Sequence, residues 1–280
     1  VRHIRVLAGE IGERHLGRPA ALAQAADYIE EQFAGLKYAP LSQKFAVLST
    51  DVRNIEATRE SRGNDIVVIG AHYDSVSGSP GANDNASGVA ALLELAHLLA
   101  LETSGRTYRF VAFVNEEPPY FMSEFMGSVV YARHCRARGD KIAGMFSLET
   151  IGYYSEERRS QHYPGPPLFR LLYPDTGNFI GFVANIASRR LLRDAGRAFR
   201  STTRFPSEGA AAPEDIPGVG WSDHWSFWQE GYPAVMITDM APYRYPHYHQ
   251  PTDTPDKLSY DALARVVVGL SRMFRSLGGT

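Results

Sequence analysis

Apolar residues recur along this chain in two rhythms, short unbroken runs and stripes at helical spacing, and the two alternate from end to end. The opening, from Ala8 to Leu36, reads as helix, with Ala21, Ala25, Tyr28, Ile29 and Phe33 on one stripe. Phe45–Leu48 and Val52–Ala57 read as paired strands, and Ser61–Asp65 as a polar turn. Ile66–Ala71 is a continuous apolar run, the mark of a strand buried on both faces. A Gly/Ser/Pro/Asn loop over Ser75–Ser87 leads into an apolar helix over Gly88–Leu101, where His97 is read as a core residue. Tyr108–Val114 is the next buried strand, Val129–Arg138 a helix, and Gly144–Leu148 a strand. Tyr153–Gly177, rich in Pro, Tyr, Arg and Gly, reads as a long excursion. Ile186–Phe199 is a helix, Ser201–Val219 an irregular stretch, Trp225–Gln229 a short helix, Ala234–Thr238 a strand and Tyr260–Leu277 a closing helix. Such alternation predicts a three-layer αβα sandwich around a mixed, mostly parallel central sheet, with the ligand site beyond the carboxyl ends of the strands.

Composition narrows the function classes. The chain has 280 residues, is 44% hydrophobic and 21% charged, and carries a net charge of −2. Neither nucleic acid nor an anionic membrane is favoured as a partner by that balance. No apolar run is long enough to span a bilayer. A single cysteine, Cys135, rules out an internal disulfide and any cysteine-cluster zinc site. It fits a reducing cytosol and a bacterial periplasm alike.

Polar groups able to do chemistry sit where predicted strands end. His72-Tyr73-Asp74 follows the Ile66–Ala71 run, and residues two apart on a strand face one side. The carboxylate can therefore share a site with the imidazole or hold it from behind. Gly81–Gly88 contains Asp84 in a turn-forming, glycine-rich setting, Asn115-Glu116-Glu117 ends the Tyr108–Val114 strand, and Glu149 follows Ser147-Leu148. His247-Tyr248-His249 lies after the last strand, ahead of Asp253-Thr254. Taken singly, each reads equally as a polar turn, a helix cap or a structural histidine. Together they form a set of oxygen donors and imidazoles without a competing thiol, which suits Zn²⁺, with Mn²⁺ or Co²⁺ as substitutes. Adjacent carboxylates at a buried strand end also suit a division of labour, one binding metal and the other acting as base.

In this order, with Ser222-Asp223-His224 and Phe227 between them, these residues resemble the co-catalytic, di-zinc aminopeptidase family, the bacterial leucyl and broad-specificity aminopeptidases that share a fold with glutaminyl cyclases. The resemblance runs from about Ile66 to Leu258 and implies one zinc-peptidase catalytic domain over 1–280. It implies two zinc ions per chain, His72 and Glu149 holding one, Glu117 and His249 the other, and Asp84 bridging them. Glu116 would be the general base and Tyr248 would stabilise the oxyanion. Asp74 would back His72, with Asp223 and His224 in support, and a cis peptide would follow Asp84.

Two departures stand out. The family more often has Asp at the position of Glu149. It also usually continues from Glu117 through a short Gly-Leu-Gly-Ser turn, where this chain has a longer loop whose Tyr120, Phe121 and Phe125 either wall a substrate pocket or pack into the core. The aromatic stretch Tyr153–Phe182 is a second candidate for the pocket. The expected activity is hydrolysis of the peptide bond next to a free amino terminus, on a peptide or aminoacyl substrate. Alternatives are glutaminyl cyclisation with one zinc and a non-catalytic binding domain of the same fold. Relatives of this kind are often exported, so a periplasmic or secreted protein is expected, with a leader absent from this chain; the same composition fits the cytoplasm.

Overall fold

The computed structural model describes residues 1–61, 63–101, 105–164 and 172–278. Eight strands form one mixed sheet in the order β1-β2-β4-β3-β5-β8-β6-β7. Their ranges are β1 Leu41–Val47, β2 Thr50–Arg59, β3 Ile66–His72, β4 Thr107–Phe113, β5 Ile142–Glu149, β6 Ile180–Asn185, β7 Ser207–Ala212 and β8 Ala234–Thr238. The helices are α1 Pro19–Gly35, α2 Gly88–Leu99, α3 Gly127–Arg138, α4 Arg189–Thr202, α5 His224–Gln229 and α6 Tyr260–Leu277. At the centre, β3, β4, β5 and β8 run parallel; β1 and β2 form a hairpin on one side, and β6 runs antiparallel to β8 on the other.

Every residue of β3 is buried, as its unbroken apolar run requires. On one face, α6 packs against both α2 and α4, with α1 beside α2; on the other, α3 packs against α5. Burial of Phe110, Phe113, Phe146 and Phe274 joins the layers, each side chain contributing about 1.5–3 kcal/mol. Gly88 is fixed by close approach: a Cβ there would stand 2.4 Å from both Asn85 Oδ1 and the Leu148 carbonyl, so only glycine lets α2 start this near the end of β5.

Three sequence expectations change, and one strand is added. The helix read over Ala8–Leu36 is two: a helical segment ends at Ile11, the chain turns through Gly12 at φ 77°, and α1 begins at Pro19. Pro19 at the first helical position, following Gly17, marks that restart. Ser201–Val219 is not wholly irregular, for β7 lies within it as an edge strand. Its Ser-Glu-Gly-Ala-Ala-Ala sequence has no β-branched or aromatic residue, so local propensity hides it. Likewise β6 follows directly on the Tyr153–Gly177 excursion, of which residues 165–171 lie outside those described. Lastly, His97 is on the solvent face of α2 rather than in the core.

Candidate metal centre

The carboxyl ends of β3, β4 and β5 bring four groups to one place. His72 closes β3, Glu149 closes β5, and Glu116 and Glu117 follow β4. Asp84 reaches them from a kinked helical turn, Ala82–Ser87, whose Asp84–Asn85 peptide is cis. His249 comes from the segment after β8.

Asp84 is the shared member of two triads. Its Oδ1 lies 3.2 Å from His72 Nε2, which is 3.3 Å from Glu149 Oε2. Its Oδ2 lies 3.1 Å from His249 Nε2, which is 3.2 Å from Glu117 Oε2. Two donors each about 2.0–2.1 Å from a tetrahedral zinc stand about 3.3 Å apart, so both triads have the spacing of ligands around an ion. His72 Nε2 and Asp84 Oδ1 are buried without a hydrogen-bond partner among the described residues. Orphaned polar atoms of this kind are costly unless something binds them. The donor set, the spacing and the orphaned atoms all fit a pair of divalent cations. The Glu149 side chain, longer than the Asp more common at this position, reaches this spacing.

Electrostatics point the same way. Burial, then Glu149 and Glu117 among other carboxylates, pushes the Glu116 carboxyl well above its usual range, although His72 pulls against it. Burial and then Asp84 push Glu117 to about 7. For His72, burial opposes the charged ring but Glu116 and Glu149 outweigh it, and its pKa is raised well above normal. His249, against the same opposition from burial, is held at about 10 by Asp84 and Glu117. Glu116 belongs to neither triad, and its Oε2 is 3.8 Å from His72 Nε2.

Buried hydrogen bonds fix the ligands. Asp74 lies 3.5 Å from His72 Nδ1 and accepts the backbone N–H groups of Glu116 and Glu117. One carboxylate thereby ties the end of β3 to both glutamates. Ser222 donates to Glu149 Oε2 at 2.8 Å. Asp223 is fully buried, and burial raises its carboxyl to about 7. His224 is neutral and structural: burial lowers it to about 4, its Nε2 meets the Val219 carbonyl at 2.8 Å, and its ring stands edge-on to Trp228. Tyr248 stacks on His249 with ring centroids 3.9 Å apart. His247 turns away, its Nδ1 paired with the Thr252 hydroxyl at 2.8 Å. Three residues beside the ligands, Asn115, Thr150 and His249 itself, take positive φ of 59°, 44° and 56°. Non-glycine residues rarely adopt this region, and such outliers cluster at functional sites.

Several supports escaped the sequence reading. Arg14 is wholly buried and donates to the carbonyls of Tyr73, Pro80 and Gly81 at 2.6, 2.5 and 2.8 Å. Burial lowers its pKa to about 10, against the pull of Asp253, Asp74, Asp84 and Glu117. It is a fixed cation beneath the carboxylates, and it clamps the loop that carries Asp84. Asp253, which the sequence pattern includes without a role, accepts the Asn83 and Asp84 N–H groups at 2.8 and 3.1 Å. Asp239 accepts from Asn83 Nδ2 at 2.9 Å. Asn54, on β2, accepts from Val114 N–H and donates to the Gly127 carbonyl, pinning the chain on either side of the Glu116 loop.

A cleft of about 110 Å³ opens beside Glu149 and Tyr248. Tyr163, Tyr173, Phe179 and Phe182 of the aromatic stretch line it, with Trp221 and Tyr243. Tyr120, Phe121 and Phe125 do not; Tyr120 and Phe125 meet edge-on and pack against the core.

Comparison with known proteins agrees with this geometry. The family model of peptidase family M28 matches residues 54–272. The chain belongs to that family. An Escherichia coli (strain K12) protein, the uncharacterized YfbL, is 39% identical over 275 residues, covering 95% of this chain and 84% of that protein. Leucine aminopeptidase 1 of Arthroderma otae is 27% identical over 233 residues, covering 77% of this chain and 56% of that one. Among solved structures, BSAP, a zinc aminopeptidase from Bacillus subtilis, matches with a TM-score of 0.76 over 99% of this chain and 93% of its own, at 17% identity. The αβα sandwich is therefore the fold of this M28 chain. No helix among the described residues is long and apolar enough to cross a membrane.

Proposed function

We propose that this M28 protein is an aminopeptidase that works with two divalent metal ions, zinc foremost, and with Glu116 as general base. The observation that carries the reading is the pair of ligand triads joined through the two oxygens of Asp84. His72 and Glu149 would hold one ion, Glu117 and His249 the other. Zinc bound there would supply Lewis acidity toward the scissile carbonyl and toward the attacking water.

Glu116 lies beside the triads and outside them, and burial raises its pKa well above the usual carboxylate range, the direction that strengthens a base. It takes the proton of the attacking water and delivers it to the departing amine. Tyr248 lines the cleft next to Glu149. Its phenol is kept protonated by burial and the surrounding carboxylates, so it donates to the oxyanion as negative charge develops, a contribution of about 3 kcal/mol in comparable sites. The free amino group of the substrate is cationic and meets the carboxylate-rich end of the cleft. The reading expects one residue to be removed at a time from an unblocked terminus.

The test uses an aminoacyl chromogenic substrate and its N-acetylated counterpart. The free-amine substrate should be cleaved, the acetylated one not, and chelator should stop the reaction. Glu116→Gln should reduce turnover by about 10²–10⁴-fold while metal content stays unchanged. Cleavage that ignores chelator, or full activity in Glu116→Gln, contradicts the mechanism.

A further inference from the structure

The cleft has a second acidic group at its far end. Glu149 pairs with Thr238 across β5 and β8, Thr238 with Gly181 across β8 and β6, and Gly181 with Glu208 across β6 and β7. The two glutamates therefore stand in one cross-strand row and project from the same face of the sheet, three strand spacings or about 14 Å apart at the backbone. On the opposite face of this half, α4 covers the strands, with Leu192 lying against Gly209. On the cleft face the floor between the two acids is Thr238 and then Gly181, whose missing side chain leaves room for Met240, with Sδ 3.5 Å from where a Cβ would stand.

The far wall is aromatic. Tyr163 and Tyr173 stand 5.6 Å apart, and their hydroxyls donate to the carbonyls of Pro174 and Gly209, which fixes the rings. Glu208 lines the cleft together with both tyrosines. Glu208 is only partly exposed and makes no hydrogen bond or ion pair at contact distance among the described residues; burial raises its pKa, against a weaker pull from the Arg200 charge.

We infer that this cleft selects substrates whose amino-terminal residue is lysine or arginine, with Glu208 as the counter-charge for the side-chain cation and Tyr163 and Tyr173 beside it. The inference rests on the aminopeptidase reading and specifies its substrate. An apolar cleft alone would accept any large side chain. A carboxylate covered by an apolar side chain loses its water and gains nothing in return. A cationic head restores that loss and gains from the neighbouring aromatic faces. An extended lysine or arginine places its cation roughly 6–8 Å from its α-nitrogen, given bond lengths of about 1.5 Å, so a substrate whose amino group lies at the carboxylate-rich end of the cleft carries that cation along the row toward Glu208.

The experiment compares neutral and charged side chains of nearly equal shape on the metal-loaded enzyme. Arginine and citrulline p-nitroanilides are assayed for kcat/KM with the wild type and Glu208→Gln, and binding of free L-arginine and L-citrulline to both proteins is measured by calorimetry. Arginine should exceed citrulline by about tenfold in the wild type, and the ratio should fall toward one in Glu208→Gln, in turnover and in binding. A wild-type ratio of one or less, or a ratio that Glu208→Gln leaves unchanged, overturns the inference. If neither anilide is cleaved, the aminopeptidase reading fails, while the arginine-to-citrulline binding ratio still decides the role of Glu208.

Discussion

The two triads that meet at Asp84 are unequal. Around His72 the site is closed: the His72 side chain is 1% exposed and Glu149 11%, and both sit at the ends of central strands. Around His249 it is half open, with that side chain 30% exposed and carried on an irregular segment after β8. Strand ends locked by Asp74 and Ser222 make a preorganised half. The His249 half depends on a backbone held at positive φ and on the stacked ring of Tyr248. The contrast teaches that one ion would be built into the sheet and the other exposed to solvent and substrate, which is where an exchangeable and chemically accessible metal belongs.

Replacing the histidines one at a time tests the contrast with the largest effect. His249→Ala should lose one of two bound ions and leave thermal stability close to that of the wild type. His72→Ala should lose the ion of the closed half and also lower the melting temperature, because it leaves Glu149 and Asp74 buried without their imidazole. Metal analysis and thermal unfolding of both variants check this, and equal behaviour of the two would abolish the distinction.

Arg14 sharpens it next. As a buried cation clamping the Asp84 loop, it supports both halves at once. Arg14→Met should cost about 3–5 kcal/mol in denaturant unfolding, from carbonyls left unpaired and carboxylates left uncompensated. A cost below about 1 kcal/mol would mean that the loop holds itself.

Acid provides the smallest effect. Ligands must shed protons to bind metal. With His249 at about 10 and Glu117 at about 7, a zinc ion binding in the open half would displace one proton between pH 7 and 9 and a second below pH 7. Affinity should therefore fall about tenfold per pH unit on going down to pH 7, and more steeply below it. Competition with a chelator at pH 6, 7 and 8 measures this; a flat or opposite slope contradicts a protonated His249 in the metal-free site.

Much of the site could be read from the sequence because its ligands come from strand ends, and buried strands announce themselves as apolar runs. His72, Glu116, Glu117 and Glu149 each follow or end such a run, and the structure draws them together with Asp84 and His249. What stayed hidden depends on partners distant in sequence. Arg14 bonds carbonyls 59 to 67 residues away, and nothing near it marks it as buried. β7 is an edge strand of small residues whose position comes from β6, so Glu208 gave no local signal either. The aromatic loop after Glu117 left pocket wall and core packing open, because aromatic content alone does not tell the two apart; the cleft is walled by residues from the aromatic stretch and from the segments around β6, β7 and β8.

The central claim is that two ions, joined at Asp84, act with Glu116 on an amino-terminal peptide bond. It is tested most directly by stripping the protein with chelator and restoring zinc in measured steps while following hydrolysis of an aminoacyl substrate. The account predicts no activity without metal and a rate that rises until two equivalents per chain are bound. Full activity without metal would contradict it. So would saturation at one equivalent, especially with pyroglutamate formed from a peptide beginning in glutamine.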